Sequence, residues 1–258
     1  MLRFGLLRAA GPPSRSPELY RALWAGHSLE AHLSYETLDL QARANWTDWL
    51  DEAHHAGWSG FNATIPHKID VFRSVPDRTD AATAIGATNC LVRTRHGWQC
   101  HNTDADGFWE GWVSHWNGYR PQHQRAWVLG NGGAARAIAY ALTSRGFEVQ
   151  CFARSARPDF LGPAQLPFEA TADALPPDVI VNATSLGHGT QSHLEPLITW
   201  PDLRGAWVID AVYGSEPTPF QVRGAQMGAH VLDGMPMLRM QAKKAWEYWS
   251  GMLNIPDF

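Results

Sequence analysis

The run Ala126-Trp127-Val128-Leu129-Gly130-Asn131-Gly132-Gly133-Ala134-Ala135 constrains the fold more than any other stretch of the chain. A short apolar segment reads as a buried strand. It passes at once into a glycine-rich turn, then into an alanine-rich helix that ends at Gly146. A second apolar segment, "EVQCF", follows. Strand, tight turn, helix and strand make a βαβ unit, which commits this part of the chain to a parallel sheet covered by helices. Gly130-Asn131-Gly132-Gly133-Ala134-Ala135 fits the pattern G-x-G-x-x-A. The first glycine permits the tight turn, and the second lets the backbone approach a pyrophosphate. The small last residue lets the helix pack close to the strand, and the helix amides face the phosphates. Gly130, Asn131, Gly132, Gly133 and Ala134 are therefore candidate cofactor residues. The plain alternative is a close-packed corner with no ligand.

The end of the second strand selects the cofactor. An NAD site offers a carboxylate there to the ribose 2′-hydroxyl. This chain has Ala153-Arg154-Ser155-Ala156-Arg157 instead. Two guanidinium groups and a hydroxyl suit a 2′-phosphate, which guanidinium binds bidentately. Arg154, Ser155 and Arg157 thus point to NADP, against the alternative of a solvated arginine pair on a loop.

The first hundred residues also alternate strand and helix, which implies a mostly parallel α/β sheet. "LRFGLL" reads as a strand, "PELYRALWAGH" as a helix and "LSYETLDL" as a strand. "TDWLDEAHHAG" is a helix stopping at Gly57, and "TDAATAIGA" is another. "ATNCLVRTRHGWQCHNTD" is a hairpin turning at His96-Gly97. In "GFNATIPHKIDVF", Pro66 pushes Ile65 towards extended geometry, so a strand ends near Thr64 and a helix begins around Pro66 or His67. Lys68 then falls on the first helical turn, where the dipole disfavours a cation. A surface lysine needs no reason, so Lys68 gains meaning only from its company. Near Asp104 the chain changes to an aromatic helix, "DADGFWEGWVSHW", and a polar linker, "NGYRPQHQR". Later strands are "DVIVNATS" and "AWVIDAVY", and "GMPMLRMQAKKAWEYWSGML" is a long amphipathic helix.

Composition narrows the function. With 258 residues, 45% of them hydrophobic, the chain can bury one large core or two modest ones. A net charge of -4 and a pI near 6.3 do not suggest nucleic acid or an anionic membrane as partner. Cys90, Cys100 and Cys151 lack C-x-x-C spacing, which speaks against a disulfide framework or zinc site and fits a reducing cytoplasm. Twelve histidines without an H-E-x-x-H pattern predict no metal. No apolar run reaches membrane-spanning length, and Arg8 interrupts the leucines near the start, so that segment reads as a first strand. The thirteen tryptophans follow no period and are assigned to packing.

With these pieces placed, the sequence resembles the shikimate dehydrogenase family, which includes the quinate/shikimate dehydrogenases. "SRSP" is similar to the family's S-x-S-P loop, and "NATIPHK" to its N-V-T-x-P-x-K segment. "GATNCL" is similar to G-A-x-N-T, and "NTDADGF" to N-T-D-x-x-G. "GNGGAARA" resembles the phosphate loop and "ARSAR" the NADP loop. "NATS", "DAVYGSEPTPF" and "DGMPMLRMQA" follow in the family's order. The resemblance implies a two-domain α/β fold. A discontinuous substrate-binding domain, residues 1–104 completed by 235–258, would accompany an NADP-binding Rossmann domain, residues 105–234. It implies reversible reduction of 3-dehydroshikimate to shikimate with NADPH, in a monomer or homodimer. Ser14 and Ser16 would bind the substrate carboxylate, and Thr64, Asn89 and Gln241 the ring hydroxyls. Lys68 and Asp104 would be the catalytic pair, and Tyr213 would lie near substrate and nicotinamide. Thr184 and Gly234 would serve the cofactor, Gly234 through its backbone.

The chemistry is compatible with these assignments. A developing alkoxide needs charge stabilisation and a proton, and an ammonium supplies both. Hydroxyls two apart in extended chain point the same way, so Ser14 and Ser16 can meet one carboxylate; the alternative is that Ser16 caps the helix before Pro17. The sequence also departs from the family. Pro13 stands where histidine is common, Tyr20-Arg21 replace His-Asn, Ala63 replaces valine and Cys90 threonine. Asn131 and Ala153 replace alanine and asparagine, and the second arginine of "ARSAR" comes one residue early. Two alternatives stay open: a paralogue acting on quinate or an aminated shikimate, and a non-catalytic ligand-binding module.

Overall fold

The computed structural model describes residues 1–11, 13–41, 45–118 and 121–256. Tyr119 and Arg120 of the expected linker, and Pro12 of the first loop, lie outside the described residues. The chain divides into two units, Met1–Thr103 with Gln241–Phe258, and Asp104–Met240.

In the first unit the elements are β1 (Leu2–Arg8), α1 (Ser16–Trp24), β2 (Leu33–Asp39), α2 (Thr47–His55), β3 (Gly60–Ala63), α3 (Lys68–Ser74), β4 (Asp77–Arg78), α4 (Asp80–Ile85), β5 (Cys90–Thr94) and β6 (Gly97–His101). The strands form one sheet in the order β2-β1-β3-β5-β6-β4. β1 lies parallel to both β2 and β3, and β4 is parallel to β6. β5 is antiparallel to β3 and to β6, because the hairpin, paired through Thr94 and Gly97, sends the chain back along the sheet. The sheet is mixed, with parallel pairs in the majority.

Both faces of this sheet are buried, and alternation along the strands explains how. Leu91 joins a cluster with Trp46, Leu50, Ala53, Phe61, Val71 and Phe72, drawn from α2 and the residue before it, β3 and α3. Its neighbours Cys90 and Val92 join the opposite cluster, with Tyr20, Trp24, Ala245, Trp246 and Trp249. The tryptophans supply much of this packing, and the Trp249 indole also donates to the Leu91 carbonyl at 2.8 Å.

The second unit begins with α5 (Asp104–Val113) and continues through β7 (Arg125–Leu129), α6 (Gly133–Thr143), β8 (Glu148–Phe152), β9 (Gln165–Leu166), β10 (Val179–Asn182), β11 (Trp207–Asp210), α7 (Pro219–Gln226) and β12 (His230–Leu232). Its sheet has the order β12-β11-β10-β7-β8-β9, every neighbouring pair parallel. This is the doubly wound dinucleotide-binding order, with strand order reversing between β7 and β10. Two short strands, β9 and β12, went unread in the sequence because two or three residues carry no period. The last helix, α8 (Met235–Leu253), is shared: the junction between the units falls inside it, after Met240.

Among the described residues no helix is long and apolar enough to cross a membrane, and no cluster of His, Cys, Asp and Glu could hold a metal ion. Among the described residues Cys90, Cys100 and Cys151 are buried and form no disulfide, and burial pushes the thiols of Cys100 and Cys151 up to about 12.

Candidate active site

In the first unit the candidate residues sit at the exits of β1 and β3 and around the start of β5. β1 ends at Arg8, whose buried side chain turns back on the loop that follows. Its Nε donates to the Ala9 carbonyl at 3.0 Å and pairs with Asp39 at 2.8 Å, and its Nη2 donates to the Gly11 carbonyl at 2.6 Å. At the far end of this loop the Ser14 and Ser16 hydroxyl oxygens lie 3.2 Å apart. They converge, but not through extended chain. Arg15 is in the right-handed helical region, and the Ser16 amide donates to Ser14 Oγ at 3.2 Å, closing a serine turn. Ser16 does not cap the helix: Arg15 holds the cap position, with no side-chain capping bond, and Ser16 is the first helical residue.

β3 delivers Asn62 and Thr64. The Thr64 amide donates to the Leu7 carbonyl at 3.0 Å, and its carbonyl accepts from the His67 amide at 2.8 Å. The turn between them contains the cis Ile65–Pro66 peptide. Lys68 opens α3, half-buried, and its carbonyl accepts from the Thr88 amide at 3.0 Å.

Behind these lies a buried amide network. Asn89 donates through Nδ2 to Thr103 Oγ1 at 2.9 Å and to Gln241 Oε1 at 3.1 Å. Its Oδ1 accepts from the Thr103 amide at 2.7 Å. Asn62 Nδ2 donates to the Asn89 carbonyl at 3.1 Å, while Asn62 Oδ1 accepts from both the Tyr20 and Tyr35 hydroxyls, at 2.9 and 2.8 Å. Asn89 and Gln241, far apart in sequence, are therefore brought together. Asn62, Tyr20, Tyr35 and Thr103 belong to the same network and were given no site role from sequence. The adjoining motifs "NATIPHK" and "NTDADGF" were the available signal for Asn62 and Thr103.

In the second unit Asp104 is buried at the first residue of α5, where the helix dipole favours a negative charge. The glycine turn joins β7 to α6. Gly130 has φ of +113°, donates to the Phe152 carbonyl at 2.7 Å, and would place a Cβ 3.0 Å from the Ala183 oxygen and 3.3 Å from Thr184 Cγ2. Gly130 and Thr184 thus meet where the strand order reverses. Gly132 caps α6 with φ of -78°, and a Cβ built there meets nothing within 4 Å. Gly133 and Ala134 follow in the first turn, whose amides have no intrahelical partner. The turn therefore offers helix-start donors beneath open space, which fits a pyrophosphate.

The loop after β8 exposes Arg154, Ser155 and Arg157, and among the described residues neither guanidinium has an ion-pair partner. The Asn131 side chain turns to this loop rather than away from it, donating to the Ser155 carbonyl at 2.7 Å.

The exits of β10 and β11 are tied by one carboxylate. Thr184 donates to Asn182 Oδ1 at 2.7 Å, and Asn182 Nδ2 donates to Asp210 Oδ1 at 2.9 Å. Asp210 also accepts from the Val212 amide at 3.0 Å and the Thr218 hydroxyl at 2.5 Å. Burial nevertheless raises Asp210 to about 6, against the pull of these donors. Half-buried Tyr213 follows on the same exit, and the Gly234 amide donates to the Val212 carbonyl at 3.1 Å.

Known proteins resemble this chain in sequence and fold. Residues 12–91 match the family model described as the shikimate dehydrogenase substrate binding domain. A shikimate dehydrogenase (NADP(+)) from Magnetococcus marinus is 36% identical over 270 residues, covering 96% of this chain and 91% of that one. The Thermus thermophilus shikimate 5-dehydrogenase, solved with NADP(H) and shikimate, superposes with a TM-score of 0.80 at 29% identity, over 100% of this chain and 95% of that one. A quinate dehydrogenase from Corynebacterium glutamicum, solved with NAD, gives 0.76 at 26%, over 97% and 94%. Sequence kinship over nearly the whole length, with the doubly wound sheet and the motifs in order upon it, makes this chain a member of the shikimate dehydrogenase family.

Proposed function

We propose that the protein is an NADP-dependent oxidoreductase interconverting 3-dehydroshikimate and shikimate. The observation that carries this reading is the exposed arginine pair beside an open glycine turn, within a chain whose relatives are NADP-dependent shikimate dehydrogenases. The first unit serves as the substrate domain and the second as the NADP domain. When bound, NADPH would supply a hydride to the ketone carbon, leaving a developing alkoxide for the chain's own residues to stabilise.

The chain's own residues do the rest. The converging Ser14 and Ser16 hydroxyls hold the carboxylate. Thr64, Asn89 and Gln241 take ring hydroxyls, the last two from side chains already fixed by their mutual bond. The Lys68 ammonium stabilises the developing alkoxide and donates the proton, which solvent later restores. Asp104 orients Lys68. Gly132, Gly133 and Ala134 receive the pyrophosphate, and Arg154, Ser155 and Arg157 receive the 2′-phosphate. Thr184 serves the cofactor, Tyr213 lies near both substrate and nicotinamide, and Gly234 meets the nicotinamide amide through its backbone. Its buried cysteines, outside any disulfide, suit a reducing cytoplasm, where the protein acts as a monomer or homodimer.

Kinship to a quinate dehydrogenase solved with NAD gives the second reading. A rate comparison on shikimate, quinate and 3-aminoshikimate with each cofactor separates them. Shikimate with NADP should be fastest. Faster turnover of quinate or 3-aminoshikimate would overturn the lead, and tight binding without turnover would indicate a non-catalytic module.

A further inference from the structure

The turn residue Asn131 and the strand residue Gln165 are joined in a way that the dinucleotide fold does not require. Asn131 Nδ2 donates to the Ser155 carbonyl and to Gln165 Oε1, both at 2.7 Å. Gln165 Oε1 also accepts from the Arg157 amide at 2.9 Å, while Gln165 Nε2 donates to the Arg157 carbonyl at 2.9 Å. A side-chain amide thus pairs with both backbone groups of Arg157 as a neighbouring strand would. The Arg157 backbone fixes which way the Gln165 amide points, because its N–H needs the oxygen and its carbonyl the nitrogen. That oxygen in turn fixes the amide of Asn131. Three segments, the β7–α6 turn, the loop after β8 and strand β9, are locked at one point.

We propose that Asn131 and Gln165 are positioning residues for 2′-phosphate recognition: they hold the Arg154–Arg157 loop in its phosphate-receiving form before the cofactor arrives. The inference rests on the NADP reading. A four-residue stretch of loop carrying two exposed guanidinium groups would otherwise have to be ordered during binding, and preorganisation removes that cost from the affinity. Ser155 and Arg157 are tethered by backbone, so their side chains stay available to the ligand. Asn131, whose two amide hydrogens are already given to the Ser155 carbonyl and Gln165 Oε1, therefore acts through the loop and not by its own contact with phosphate.

The test uses the full chain and two ligand fragments, adenosine 2′,5′-bisphosphate and adenosine 5′-monophosphate, with dissociation constants from calorimetry. The unaltered protein should prefer the bisphosphate; equal affinities would sink the NADP reading itself. With that preference established, Asn131→Ala and Gln165→Ala should each weaken the bisphosphate about five- to thirtyfold. The monophosphate should stay within about twofold. The double variant should be little worse than the worse single one, because the two residues act as a unit. A merely structural role would move both ligands equally. Equal losses, or an unchanged preference in all variants, would overturn the proposal.

Discussion

Asp210 shows how one side chain can organise a site while costing stability. It accepts from Asn182, Val212 and Thr218, and so sets the backbone leading to Thr184 on one side and Tyr213 on the other. Burial still raises it from 3.8 to about 6, so the folded protein binds more protons than the unfolded chain between those values. The stability linked to Asp210 is therefore fully present below pH 3.8 and lost as pH rises through about 6, a swing on the order of 3 kcal/mol. In Asp210→Asn the amide oxygen can keep the Asn182 and Val212 bonds, and the rotatable Thr218 hydroxyl can accept from the new amine. Urea midpoints across this pH range should show a flatter dependence in the variant, with no further loss of stability on passing pH 6. An unchanged slope would mean that other groups control it. Nothing in the local sequence announced this role, because "DAVYGSEPTPF" gives the order of residues but not which carboxylate is buried against which donor.

At the scale of the elements, the β7–α6 turn contains two glycines with opposite reasons to be there. Gly130 answers to the fold: its φ of +113° and the Ala183 oxygen 3.0 Å from any Cβ make Gly130→Ala destabilising, by about 1–3 kcal/mol. Gly132 answers to the ligand. Its φ is ordinary and its surroundings are open, so Gly132→Ala should fold normally and can gain about 0.4–1 kcal/mol from a less flexible unfolded chain. It should nevertheless weaken NADP and NAD alike, by about tenfold or more, since the new methyl occupies the pyrophosphate face. Thermal melts and cofactor titrations of both variants separate the two roles. A destabilised Gly132→Ala with normal affinity would reverse the assignment.

Elements this regular were legible in the sequence. A strand, a glycine turn and an alanine-rich helix carry their periods openly, as do the β5–β6 hairpin and α8. The serine pair was legible only in part: its spacing suggested convergence, but the helical Arg15 and the Ser14–Ser16 turn arise from how the loop meets α1. β9 was invisible at two residues, and with it the Gln165 brace.

At the scale of the whole molecule, the roles divide along the chain. Tyr213 apart, the residues proposed for the substrate belong to the first unit and those for the cofactor to the second, with Lys68 in the first and Asp104 opening the second. The Asn89–Gln241 bond joins residues 152 apart in the sequence, so the substrate unit is built only when α8 has returned to it. Binding and catalysis are then separable by substitution. Lys68→Ala removes the ammonium but leaves Ser14, Ser16 and the amide network in place. An interaction made mainly in the transition state lowers kcat far more than it raises KM. The expected loss in kcat is about a hundredfold to ten-thousandfold, with the NADP dissociation constant within about twofold because the cofactor loops are untouched. Asp104→Asn should also impair turnover, and the double variant should lose far less than the product of the singles if the two act as a unit. Steady-state kinetics on all three variants, with cofactor titration alongside, gives the answer. Near-normal kcat with only a raised KM in Lys68→Ala would make Lys68 a substrate anchor, and the proton would then have to come from Asp104, Tyr213 or water.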